Sequence, residues 1–213
     1  MDNTDYIMRI IEQFSAFLWA IVLNKKAQNY DMALEKIKEA YNGLLFLDAD
    51  LIKALSVDEI IESNKHNNIP DKDRIEIIAN LFFEEADILE RMNGKNIVSF
   101  GYYQKSIELF FILFNEKENI KYCKNIEEII GKLENYEAGD EIILKIYEYY
   151  LKINLYGKAE DKLYELLEND YPNIRDKINL FYENLLAKDD IDLEKGNLPR
   201  KEIIEAVKIF NKT

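Results

Sequence analysis

The chain has 213 residues and a mass of 25.2 kDa, and its 41 acidic and 28 basic side chains leave a formal charge of −13. That charge repels a phosphate backbone, which makes nucleic acid and anionic membranes poor partners. Hydrophobic residues at 48% with only three prolines and seven glycines give a globular helical balance with few and short loops, enough to bury the core of a single domain.

From about Thr4 to Lys26 the apolar residues Tyr6, Ile7, Ile10, Ile11, Phe14, Phe17, Leu18, Ile21 and Val22 recur every three or four positions, the period of a helix buried on a broad face, with Thr4 as its N-cap. The run Phe14–Leu23 is too short to cross a bilayer, which takes about 20 apolar residues, and its acidic front flank is not that of a signal peptide. A cytoplasmic protein is expected, in keeping with Cys123 as the one cysteine. A second helix follows from Tyr30 to Phe46. Asp48 is placed to cap a short helix ending at Ala54, and Ser56 with Glu59 forms a capping box for another, from Val57 to about Asn64. The polar stretch 64–71 ends in Pro70 and reads as a linker, with a hinge expected there.

Beyond it the spacing predicts a helix over 72–92, stopped by Asn93-Gly94, and an aromatic partner helix over 97–115. A weaker helix follows over 120–133. Helices over 140–153 and 156–168 make a further pair, then one starts at Pro172 and runs to about Ala187. A charged stretch leads through Gly196 and Pro199 to a terminal helix ending near Phe210. No segment alternates as an exposed strand would.

One motif occurs three times: a tyrosine on a helix that carries a small residue three positions on. It is Tyr30 with Ala33, Tyr103 with Ser106, and Tyr156 with Ala159. A small residue lets two helices approach where they cross. The hairpin containing Ile143, Ile146, Tyr147, Tyr150, Tyr156, Ala159, Leu163 and Leu166 resembles a tetratricopeptide repeat. The tyrosines stand 73 and 53 residues apart, neither a multiple of the roughly 34 residues of that repeat. The expected fold is all-α: irregular tetratricopeptide-like hairpins packed as a right-handed helical array or a compact bundle in one domain, 1–213.

The opening segment Tyr6–Phe14, with Asn29–Leu34, Leu44–Asp48 and Leu198–Glu202, resembles an uncharacterised family from low-GC Gram-positive bacteria. The resemblance implies a helical-repeat fold and carries no activity.

Candidate chemistry is sparse. His66 is the only histidine and reads as a solvated loop residue, which removes the usual multi-imidazole metal sites. In Asp189-Asp190-Ile191-Asp192-Leu193-Glu194 the positions of a calcium loop's glycine and bidentate glutamate are filled by Lys195 and Lys201. Glu84, Glu85, Asp87 and Glu90 read as a solvated helix face. No cofactor or metal is expected.

The stronger candidate is a binding surface on the first helix of each hairpin, namely Leu18, Trp19 and Val22, with Leu144, Glu148 and Leu151 on the third hairpin. Trp19 is the only tryptophan, and tryptophans commonly anchor interfaces. The expected function is a non-catalytic protein-interaction module or scaffold that binds a partner helix or peptide, favouring a basic one. A homodimer through the first helix is the alternative. An enzyme with a pocket of carboxylates and tyrosines is the third reading.

Overall fold

The computed structural model describes residues 3–115 and 120–210, with side chains from residue 12 onward. Thr4 lies inside α1, whose first residue is Asn3, and so is not its N-cap as expected; the apolar side chains Tyr6, Ile7, Ile10 and Ile11 lie outside the described side chains. The fold is all-α and divides into two compact units, Met1–Tyr136 and Glu137–Thr213. The first unit holds α1 (Asn3–Lys26), α2 (Tyr30–Leu44), α3 (Ala49–Ala54), α4 (Val57–Ser63), α5 (Lys72–Asn93), α6 (Ile97–Asn115), a 3₁₀ turn (Ile120–Tyr122) and α7 (Cys123–Leu133). The second holds α8 (Asp140–Lys152), α9 (Tyr156–Glu168), α10 (Ile174–Leu186), α11 (Asp190–Lys195) and α12 (Arg200–Phe210).

The three hairpins form as expected, α1 against α2, α5 against α6 and α8 against α9. Ala33, Ser106 and Ala159 are all fully buried. Ser106 is polar, and its hydroxyl is satisfied across the crossing by donating to the Ala79 carbonyl at 2.7 Å, so its burial leaves no unmet group. Local caps also hold: the Asp48 carboxylate accepts from the amides of Asp50 and Leu51, and Ser56 with Glu59 completes a reciprocal capping box. Gly94, at φ 71° and ψ −172°, ends α5 in an extended positive-φ conformation that glycine adopts at little cost.

Segment 64–71, expected as a polar linker, contains a short strand pair. Asn67 and Asn68 both have positive φ, the geometry of a two-residue hairpin turn. They join β1 (Lys65–His66) to β2 (Ile69–Pro70) as an antiparallel ribbon inside the first unit. The ribbon is pinned at its base by Asn64, which is buried, donates to the Ile60 carbonyl at 2.8 Å and accepts from Arg74 Nε at 2.9 Å. Arg74 also donates to the Leu45 carbonyl at 2.7 Å.

The acidic run on α5 corrects the expectation of a solvated face. Glu84, Glu85 and Asp87 are only 7%, 5% and 2% exposed. α5 lies beside α1, α2 and α6, so the side of it that carries the acids is covered, and cations from distant segments neutralise it. Lys25 of α1 reaches Glu84 at 2.5 Å and Asp87 at 2.8 Å. Lys132 of α7 reaches Asp87 at 2.5 Å and Glu90 at 3.0 Å. Arg91 adds a third cation to Asp87 at 2.9 Å, and Lys53 of α3 meets Glu85 at 2.6 Å.

Burial raises the Asp87 carboxyl pKa, but hydrogen bonds from Lys132, Lys25 and Arg91 outweigh it and pull the value down to about 2. Glu84 shares Lys25 with Asp87 and yet moves the other way. Its burial is offset by that one lysine alone, and the neighbouring Asp87 charge pushes it further up. On Glu90 burial is again outweighed, by Lys132 and by the Tyr136 and Tyr103 hydroxyls, which donate to it at 2.8 and 3.0 Å.

In the second unit two glycines permit a close approach. The Gly157 amide at the start of α9 donates to the Gly196 carbonyl at 2.9 Å. A Cβ on Gly196 would lie 2.2 Å from the Tyr156 ring and 2.7 Å from the Asn154 carbonyl oxygen. The acidic stretch before it is a short helix, with Asp189 accepting from the Asp192 amide at 2.8 Å and Asp190 paired with Arg200. Pro172 falls in a turn and not in the first turn of a helix, because Asn173 adopts φ 57° and α10 begins only at Ile174.

Two outcomes test this packing. A carboxyl depressed by the fold contributes stability that is full above its unfolded value near 3.9 and is lost as pH falls through about 2. Asp87→Asn is therefore expected to cost about 2–3 kcal/mol at pH 7, with the gap to the parent narrowing between about pH 4 and pH 2 in denaturant unfolding. A gap independent of pH would contradict the assignment. Gly196→Ala is expected to destabilise by about 1–3 kcal/mol in the same measurement, through overpacking against Tyr156 and Asn154.

Candidate interaction face on the first helix

α1 is held by its inner face. Ile21 is fully buried, Phe14 and Phe17 are half-buried, and Lys25 points into the α5 carboxylates. At about 100° per residue, the direction opposite Ile21 is occupied by Glu12, Ala16, Trp19, Leu23 and Lys26. All five are exposed. Trp19 is 63% and Leu23 46% exposed, a large apolar pair one turn apart on the outer face of a helix whose inner face is anchored.

Of the expected surface residues on α1, Trp19 stands outermost, while Leu18 and Val22 are half-buried on the flank between Trp19 and the inner face. Sequence reasoning missed Leu23. The signal was available in the alternating four and three spacing of 12, 16, 19, 23 and 26, which marks one stripe of a helix. On α8, Leu144 and Leu151 are half-buried and Glu148 is exposed. They share one stripe of that helix and belong to the second unit.

His66 is exposed in the ribbon. Among the described residues no group of three or more His, Cys, Asp or Glu side chains is arranged to hold a metal ion. The acidic residues of α5 meet lysines and an arginine, which is the arrangement of a structural ion cluster. Carboxylate and tyrosines also meet at Glu85, where burial and then the Glu85 charge push the Tyr41 hydroxyl pKa well up, and burial raises Glu85 against the pull of Lys53. Tyr41 Oη and Glu85 Oε2 are buried without a hydrogen-bond partner among the described residues. Tyr41 is fully buried, so this pair offers no access to a substrate.

Among the described residues no helix is long and apolar enough to cross a membrane. Comparison with curated proteins and with solved structures gives no match. A family model matches residues 1–213, and the chain belongs to that family, a family of unknown function (DUF6483).

Proposed function

We propose that the chain is a non-catalytic protein-interaction module of the cytoplasm, built from tetratricopeptide-like hairpins, whose binding face is the outer stripe of α1. The observation that carries this reading is Trp19, the only tryptophan, 63% exposed at the middle of that stripe with Leu23 beside it. Exposing a large aromatic ring leaves apolar surface in water, at about 25 cal/mol for each Å² that a partner would cover. Tryptophans flanked by apolar neighbours are frequent anchors of interfaces. The shape offered is a helix ridge, which suits a helix laid alongside it.

The net charge of −13 favours a basic partner through long-range steering. The stripe itself, with an acid at one end and a base at the other, asks for a partner carrying one charge of each sign in the matching order. Affinity capture with the folded chain tests the reading. Trp19→Asp is expected to lose the proteins recovered by the parent, while Ile97→Asp, at a position 78% exposed on α6, is expected to keep them. Equal recovery by parent and Trp19→Asp would remove α1 as the binding face.

A further inference from the structure

We infer that the helix received by the α1 stripe is α1 of a second copy of this chain, crossing antiparallel about a two-fold axis at Trp19. The inference rests on the interaction-face reading above, and in place of the basic partner favoured by the net charge it names one matched by the charges of the stripe itself. The stripe Glu12, Ala16, Trp19, Leu23, Lys26 advances by four, three, four and three residues, the seam spacing of helices that lie along one another. Its charges are placed symmetrically, with Glu12 seven residues before Trp19 and Lys26 seven residues after it.

A two-fold interface is self-complementary: if residue i of one copy meets residue j of the other, then j meets i. Antiparallel crossing at Trp19 brings Glu12 of each copy to Lys26 of the other, so two opposite-charge pairs form at once. A parallel arrangement in register would set like charges together. The antiparallel register also turns Leu23 of each copy towards the small Ala16 of the other, which allows the helices to approach, and it leaves Trp19 at the centre, where interface energy concentrates. Glu12 and Lys26 are both exposed, and neither is engaged in an ion pair within the described residues.

The total charge of −13 opposes association at low salt. At physiological ionic strength, charges separated by more than about 8 Å are largely screened. The end-to-end pairs are contacts and survive that screening best. One helix crossing buries less than the roughly 1,200 Å² of a stable interface, so the dimer is weak and reversible, in the micromolar range.

Sedimentation equilibrium at physiological salt, from about 1 to about 200 μM protein, reads the outcome. The parent is expected to dimerise across that range. Glu12→Lys and Lys26→Glu, each creating two like-charge contacts, are expected to weaken the dimer about five- to tenfold, and the double variant, which restores both pairs with reversed sign, is expected to return to within about threefold of the parent. Far-UV circular dichroism checks that the three variants are folded. A parent that stays monomeric throughout, or a double variant as weak as the single ones, overturns the inference. A monomeric parent that still captures another protein through Trp19 overturns self-association and leaves the interaction reading standing. A monomeric parent whose captured proteins do not depend on Trp19 overturns both.

Discussion

The first unit depends on how α5 satisfies its acids. Asp87 sits 2% exposed with three cations around it, one from α1, one from α7 and one from the next turn of its own helix. Removing a carboxylate from water costs several kcal/mol, and this is offset only where partners approach closely from several sides. Lys25 and Lys132 therefore do more than neutralise charge: each fixes the rotation of the helix that carries it. Once Lys25 is committed to Glu84 and Asp87, the same side of α1 must present Ile21 and Phe14 inward, and Trp19 and Leu23 are left on the opposite side. The exposed tryptophan thus lies on the side of α1 opposite both the ion cluster and the buried Ile21.

The cluster also explains why neighbouring acids behave differently. Asp87 and Glu90 each draw several hydrogen bonds and are held ionised, whereas Glu84 and Glu85 have one lysine apiece and are pushed upward by burial. A row of carboxylates on one helix is therefore two kinds of site, sorted by the number of donors that the surrounding helices deliver. The tyrosines join the same economy of donors, since Tyr103 and Tyr136 both spend their hydroxyl protons on Glu90.

Most of the helices were legible because their signals are local. The apolar period located α1, α2, α5, α6, α8 and α9, and the caps at Asp48, Ser56 and Gly94 act within three residues of themselves. The small residues at 33, 106 and 159 were legible as crossing points for the same reason. What could not be read depends on contacts far along the chain. Nothing in Glu84–Glu90 announces that Lys25 and Lys132 will arrive, 59 and 42 residues away from their nearest bonded acids, and a run of acids on a helix is ordinarily solvated. The Asn67-Asn68 turn did carry a local signal, since asparagine tolerates positive φ, but polarity and Pro70 obscured it. Gly196 read only as part of the passage into the terminal helix, and its role, making room for Tyr156, is visible only once α9 and the α11–α12 turn are brought together. On the candidate face Trp19 stands exposed, while Leu18 and Val22, expected beside it, lean inward and Leu23 faces out.

The central claim is that α1 turns Ile21 and Lys25 towards the rest of the first unit and so holds Trp19 in water. Because Trp19 is the sole tryptophan, its fluorescence reports this position without interference. Acrylamide quenching, measured at protein concentrations far below those at which copies would associate, is the most direct test. The account predicts quenching close to that of a tryptophan in an unfolded chain, in keeping with a ring 63% exposed. A ring strongly protected from the quencher in the dilute, folded monomer would contradict it.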